Sequence, residues 1–372
     1  MATQPLHLTW FNPVRITFGE GCFGNIAQQL GTTQPAVVLA DRAALSFSAE
    51  TALLDALAGQ CKAWEWLQGG LASVARAREL CEQLWPVMQQ YPDAVVIAIG
   101  GGTTLDLAKV LRFRCALQGA GLAAATLAHW RTNTVSTGFS RHPLWLVPTT
   151  SGTGSDVTRW ATVWDTDSAV HAKLSWAPAK GFAERAFVDP ELTVSCPARI
   201  TRDCALDTLA HALESIWNHH ANVATAALAV QAARLVVAAL PRVLQTPADL
   251  AARVDLSRAS LLAGLAMSQT QTALAHALSY DLTLQEGLPH GEACAVWLPM
   301  VWDLARGRSP LCDETLEQVF NQPAHDGAET LRKWLEHLGV QPRDLRHSDP
   351  TLSTLKTEMQ SARGRNFIAT SW

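Results

Sequence analysis

Tyrosine is scarce in this chain: two residues of 372, against fourteen tryptophans and ten phenylalanines. The large aromatic surface is therefore mostly indole, used either as core filler or as a carbohydrate-stacking face. Charge is sparse as well, 17% of residues, and 29 basic against 33 acidic side chains leave a net charge of −4. No basic excess draws in nucleic acid or an anionic membrane. With 48% apolar residues the composition excludes a disordered chain. The cysteines, at 22, 61, 81, 115, 196, 204, 294 and 312, contain no C-x-x-C pair, which is the usage of reduced thiols in a cytoplasmic protein. Met1 to Phe11 lacks a signal-peptide pattern. No apolar run approaches the roughly 18 residues of a membrane span.

The length predicts two domains. In the first half, short apolar runs alternate with helical stretches, the pattern of a parallel sheet covered by helices. Ala36 to Ala40, Ala94 to Ile99 and Leu144 to Val147 read as buried strands, and 72–90 reads as a helix. Residues 158–164 and 171–176 read as a hairpin about the polar Asp165-Thr166-Asp167-Ser168 turn. After Phe187-Val188-Asp189-Pro190 the β-branched runs give way to long Ala/Leu-rich stretches. This places the boundary near 190, with an α/β domain over 1–190 and an all-helical domain over 191–372. Helices are expected at 201–218, 222–240, 248–268, 269–283 and 291–305, with breaks at Pro241, Pro247 and Pro289. From Leu352 onward no pattern places the chain.

The second strand runs into Gly100, Gly101 and Gly102, followed by Thr103 and a helical pattern containing Asp106 and Lys109. Glycines at a helix N-terminus let backbone amides approach a pyrophosphate, and the helix dipole favours its charge. A plain strand-to-helix turn with no ligand has the same appearance. The third strand ends in Pro148-Thr149-Thr150-Ser151-Gly152-Thr153-Gly154-Ser155-Asp156, a hydroxyl-rich loop suited to a nucleotide or an oxygen-rich substrate. Thr149, Thr150, Thr153 and Ser155 are its candidate contacts, with Lys173 on the hairpin. Asp41, at the end of the first strand, can accept from ribose hydroxyls and repel a 2′-phosphate. It can equally be a helix cap.

Asp207, His211, Glu214 and Asn218 follow one another at spacings of four, three and four, so they line one stripe of an otherwise apolar helix. Buried carboxylate and imidazole must be satisfied by partners or by a cation. His276 and His290 recur downstream, and one carboxylate with three imidazoles makes a divalent-metal site. Unrelated core histidines are the alternative.

Together, Gly100-Gly101-Gly102-x-x-x-Asp106-x-x-Lys109, the PTTSGTGSD loop, Asp207-x-x-x-His211, His276 and His290, and the opening Phe18-Gly19-x-Gly21 closely resemble the iron-containing (group III) alcohol dehydrogenases. The resemblance implies a dehydroquinate synthase-like fold: a Rossmann-like N-terminal nucleotide-binding domain, an all-α metal domain, and an active site in the cleft between them. It implies NAD(H) as coenzyme and Asp207, His211, His276 and His290 as ligands of a divalent metal. Fe(II) is favoured, and Zn(II) is also accepted by such a ligand set. In this chemistry the metal polarises a carbonyl or acidifies an alcohol, and hydride passes to or from the nicotinamide. Two departures are visible: Asp156 where many members carry Glu, and Tyr280 where many carry a further histidine assigned to a proton relay. Tyr280, with TRWATVWD (158–165) and ALESIWN (212–218), looks most like the branch of phosphonate metabolism, whose members reduce phosphonoacetaldehyde to 2-hydroxyethylphosphonate. Candidate substrate contacts are Arg159, Trp160, His219 and His220, although Arg159 could pair on the hairpin and the histidines could complement the helix dipole. A small aldehyde or alcohol substrate and a homodimer are expected, with no nucleic-acid or membrane partner. A dehydroquinate synthase-type cyclase or lyase is the rival from the same fold.

Overall fold

The computed structural model describes residues 8–45, 47–57, 59–115, 139–166, 172–346 and 349–369. The first residues of the leader reading, Asp167 and Ser168 of the hairpin turn, His171 and the final three residues lie outside them. The chain divides into two compact units, one of Pro13–Pro197 with Ala248–Ser257 and one of Met1–Asn12, Ala198–Pro247 and Arg258–Trp372.

The first unit is built on six strands: β1 (Arg15–Phe18), β2 (Ala36–Asp41), β3 (Cys61–Leu67), β4 (Val95–Gly100), β7 (Leu144–Pro148) and β10 (Arg185–Val188). Their order is β1-β10-β7-β4-β2-β3, and every neighbouring pair is parallel. The central strands are apolar throughout because both faces are covered. Val37, Leu39, Val96, Ala98, Leu144 and Leu146 enter one core, while Ala36, Val38, Ala40, Val95, Ile97, Ile99 and Val147 enter the other. Three strands went unread in the sequence: β1, β10 and the edge strand β3, whose polar Lys62 and Glu65 break the apolar signal. Two short antiparallel pairs accompany the sheet: β5 (Phe113–Cys115) with β6 (Phe139–Arg141), and the expected hairpin of β8 (Ala161–Asp165) with β9 (Ala172–Trp176). The indoles serve as core, with Trp176, Trp217 and Trp302 fully buried.

Among the described residues the second unit is helical apart from an isolated bridge between Asn218 and Phe367. Its helices include Ala198–Ile216, Val223–Gln245, Leu274–Gln285, His290–Ala295 and Leu298–Ala305. Two expectations are corrected. Pro241 does not end its helix, which continues to Gln245. Proline forfeits one backbone bond, but a capping box of Asn222 and Thr225 starts this helix and its buried stripe continues through Leu240 to Val243. Second, 291–305 is two helices, because the chain turns at Val296 and Trp297. By length and composition Val223–Gln245 is also apolar enough to cross a membrane, which the reading of uninterrupted runs overlooked because Gln231 and Arg234 divide it. Its Ala229, Ala232, Ala233, Val236, Ala239 and Leu240 are buried within the protein.

Candidate functional site

Asp207, His211 and Glu214 lie on the Ala198–Ile216 helix at one-turn and two-turn spacing, and all three are buried. His276 stands in the first turn of Leu274–Gln285, and His290 opens His290–Ala295. His290–Ala295 can approach the Ala198–Ile216 helix closely because of a glycine. At Gly291 a Cβ would meet the Asp203 carbonyl oxygen at 1.9 Å, so only glycine permits this contact. Asp203 in turn accepts from the Glu292 amide at 3.0 Å.

Three imidazole Nε2 atoms converge on Asp207 Oδ1: His276 at 3.3 Å, His211 at 3.5 Å and His290 at 4.0 Å. The Nε2 atoms of His211 and His276 are 3.1 Å apart, with their rings stacked. Asp207 Oδ1 itself is buried without a hydrogen-bond partner. Burial alone would raise the Asp207 carboxyl, but the three surrounding histidines hold it far below the usual carboxylate range. Bonds of about 2.0–2.3 Å to a four-coordinate ion set donors roughly 3.3–3.8 Å apart. The observed separations bracket that range, so these side chains fit a divalent cation.

Glu214 was read as part of the stripe but given no role. Its carboxylate accepts from the Ala273 amide at 2.7 Å, the His276 amide at 3.1 Å and His276 Nδ1 at 2.7 Å. Burial opposes its ionisation, but His276 and these donors bring it below the ordinary glutamate value. A carboxylate can only accept, so Nδ1 carries a proton and donates it to Glu214, which leaves Nε2 as the nitrogen a cation would take. Cys294 was also missed. Its buried sulfur belongs with Asp207, His276 and His290 to a group whose donor atoms all lie within 4.8 Å of one another. Its spacing of four from His290 was a usable signal.

Tyr280 follows His276 by one turn, and burial raises its phenol further above neutrality. Arg363 lies over it, the guanidinium 5.6 Å from the ring centroid, and donates to the Thr272 hydroxyl. This arginine comes from the stretch the sequence could not place. Beyond it, Asn366 donates to the Thr272 carbonyl at 2.8 Å, and the Ile368 amide donates to Trp217 O at 3.1 Å. The tail thus fastens the loop ahead of His276 to the end of the metal helix. His219 and His220 sit exposed at that end, with the His219 amide donating to Asn366 O at 2.9 Å. Asn218 closes the turn, accepting from the His220 amide.

In the sheet unit, Asp41 ends β2 and Gly100 ends β4, on either side of the point where strand order reverses. Crevices at such switch points are where nucleotides bind. Gly101 is the N-cap of Gly102–Leu111, so the first-turn amides of that helix open at the same carboxyl end. A Cβ on Gly102 would meet Thr153 Cγ2 at 2.6 Å, and one on Gly101 would touch Thr150 at 3.4 Å. The glycine turn and the hydroxyl-rich loop are therefore in contact. The Thr149 amide donates to Gly100 O, and Thr103 Oγ1 donates to Gly70 O at 2.9 Å. Asp106 turns inward, accepting from Ser155 Oγ at 2.7 Å and the Thr162 amide at 2.8 Å. Lys109, the last residue of the glycine-turn motif, is fully buried and donates to Trp160 O at 2.6 Å. Burial lowers its pKa to about 8 despite Asp106 and Asp156, and burial raises Asp156 to about 6. Asp41 Oδ1 accepts from the Ala43 amide at 3.0 Å, and Arg42 beside it stacks on Trp66. Arg159 lies 5.4 Å over Trp160, and Lys173 lies 5.4 Å over Trp164.

Comparison with known proteins follows the same division. Residues 13–190 match the iron-containing alcohol dehydrogenase pattern, and residues 201–343 match the C-terminal pattern of the Fe-containing alcohol dehydrogenase family. Long-chain-alcohol dehydrogenase 1 of Geobacillus thermodenitrificans is 36% identical over 230 residues, 61% of this chain and 55% of that one. Phosphonoacetaldehyde reductase of Streptomyces viridochromogenes is 34% identical over 207 residues, 55% and 51% of the two chains. The chain spans about half the length of the curated relatives it matches. In fold it is similar to the sulfoacetaldehyde reductase of Bifidobacterium kashiwanohense, solved in complex with NAD+, with a TM-score of 0.84, 23% identity, and coverage of 98% of this chain and 95% of that one. Since the two patterns follow each other in order along most of its length, the chain belongs to the iron-containing alcohol dehydrogenase family.

Proposed function

We propose that this protein is a metal-dependent, NAD(H)-linked alcohol dehydrogenase that works as a reductase of a short anionic aldehyde, with phosphonoacetaldehyde the first candidate. The observation that carries this reading is the convergence of three imidazoles on Asp207, with Glu214 fixing the tautomer of one of them. A divalent cation held by Asp207, His211, His276 and His290 supplies Lewis acidity to a carbonyl or alcohol oxygen, and a bound nicotinamide supplies or accepts the hydride. The chain's own part is to hold both. Gly101, Gly102 and Thr103 offer first-turn amides to a pyrophosphate, and Thr149, Thr150 and Thr153 line the adjoining loop. Asp106, Ser155 and Lys109 brace that loop from within. Tyr280, kept protonated at neutral pH by burial, is the candidate donor of the proton that completes aldehyde reduction.

The anionic substrate is supported by the phosphonoacetaldehyde reductase relative and by Arg363, a half-buried cation beside Tyr280. A guanidinium matches the oxygens of a phosphonate in pairs and stays charged at any working pH. Arg159, Trp160, His219 and His220 remain further candidates, and Lys173 joins the coenzyme side. The test is NADH consumption after reconstitution with Fe(II) or Zn(II), comparing phosphonoacetaldehyde with propanal. The expected result is a kcat/KM at least tenfold higher for the anion. Preference for neutral aldehydes overturns the substrate and keeps the dehydrogenase. Absence of net NADH turnover with every aldehyde favours a dehydroquinate synthase-type reaction.

A further inference from the structure

The metal group contains one donor beyond the carboxylate and three imidazoles. We infer that the thiol of Cys294 is a ligand of the same ion in the substrate-free protein, which makes this a sulfur-containing site that prefers Zn(II) over Fe(II). The inference rests on reading the cluster as a metal centre, as the proposed function does.

Three observations place the sulfur there. Cys294 lies four residues after His290 on His290–Ala295, so both side chains leave that short helix on the same face. Its sulfur, the Asp207 oxygen and the His276 and His290 nitrogens are mutually within 4.8 Å. Zinc–sulfur bonds of about 2.3 Å and zinc–nitrogen bonds of about 2.0 Å set donor atoms no more than about 4.3 Å apart, so the group closes up around the ion as it binds. Cys294 is completely buried and interacts with the His276 ring. Its sulfur therefore faces the donors and not the solvent. The second, independent pointer is Asp207 Oδ1, buried without a hydrogen bond at the centre of the group.

Chemistry gives the consequence. Coordination forms one metal–sulfur bond, and the thiol proton leaves to solvent. A thiolate is softer than carboxylate or imidazole, and soft donors shift preference from Fe(II) toward Zn(II), beyond the intrinsic order that already favours Zn(II).

The test uses the full-length protein loaded with Zn(II) or with Co(II), free of substrate. X-ray absorption at the zinc edge is expected to find a sulfur neighbour at about 2.3 Å. The Co(II) form is expected to show near-ultraviolet thiolate-to-cobalt charge transfer. In Cys294→Ser both signals vanish, and Zn(II) affinity falls by at least the roughly 10- to 100-fold that even outer-shell partners are worth. Cys204→Ala, on the metal helix but outside the group, keeps both signals. Zinc bound with only nitrogen and oxygen neighbours overturns the inference and leaves the proposed function standing. A protein that binds none of Zn(II), Co(II) and Fe(II) overturns both, and one that binds Fe(II) alone overturns only the inference. If the serine variant fails to fold, the absorption spectrum of the unmutated protein still decides.

Discussion

Glu214 accepts three N–H bonds from the turn and helix that carry His276, so it acts on the metal group without being one of its donors. Glu214→Gln sets an amide against Nδ1–H and removes the charge. Metal affinity is expected to drop about 10- to 100-fold, read by competition with a chromophoric chelator. Unchanged affinity would show that Glu214 is only a helix cap. Asp207→Ala and His276→Ala are expected to lose both metal and turnover, and full activity in protein shown by elemental analysis to be metal-free would remove the centre altogether. On the coenzyme side, Asp41 meets Arg42, which is exposed and stacked on Trp66. A carboxylate there repels a 2′-phosphate that the neighbouring guanidinium would otherwise attract. NADH is therefore expected to be preferred over NADPH, by roughly ten- to hundredfold for a charge-assisted bond. Asp41→Gly narrows or reverses that ratio, and equal use of both coenzymes by the unmutated enzyme takes Asp41 out of the site.

At the scale of elements, close contacts between backbones hold the site residues in place. Gly291→Ala puts a methyl group into the Asp203 carbonyl and pushes His290–Ala295 away from the metal helix. Weaker metal binding is the expected result, with a fall in thermal midpoint that calorimetry would record. Unchanged binding would mean that the two helices tolerate separation. Lys109 ties Gly102–Leu111 to the hairpin through Trp160 and sits near Asp106 and Asp156. Lys109→Met leaves Trp160 O without its donor and removes a cation near two buried carboxylates, so the variant should be less stable, read as a lower urea midpoint. A variant as stable as the parent would argue that Lys109 is neutral in the folded protein. Pro241 belongs to this scale too: as a residue it reads as a break, yet the stripe from Ala226 to Val243 continues past it. Packing of a long apolar face outweighs one missing bond.

For the molecule as a whole, an ion at the proposed site would be linked to the fold. An ion bound only by the native state adds about 2.7 kcal/mol at one hundred times its dissociation constant. Stripping the metal should therefore lower the melting temperature, and added Zn(II) should restore it in proportion to the logarithm of its concentration. A melting curve indifferent to both treatments would deny a native-state site. The proposed choice of an anionic substrate belongs to this scale as well. Arg363 reaches Tyr280 only because the tail returns to Thr272 and Trp217. Arg363→Ala is expected to reduce kcat/KM for phosphonoacetaldehyde about ten- to hundredfold while sparing propanal, with Arg159→Ala measured beside it. Equal losses on both aldehydes would make Arg363 a structural residue of the tail.

Local pattern in the sequence is enough for the central strands of the parallel sheet, the change to helices after residue 190, the glycine turn, and the one-turn spacing of Asp207 and His211. Each of these is written in local spacing: apolar runs of four to six residues, glycines at a strand end, and polar side chains one helical turn apart. What the pattern does not carry is that Asp106 faces inward to Ser155, that Glu214 reaches across to His276, that the Cys294 sulfur lies within 4.8 Å of Asp207 and His276, and that Arg363 covers Tyr280. Those contacts join residues far apart in the chain: 49 positions separate Asp106 from Ser155 and 62 separate Glu214 from His276, and Tyr280 and Arg363 are further apart still. Local pattern carries no record of such distances, because what brings the groups together is the burial of apolar faces that many other sequences would satisfy equally well.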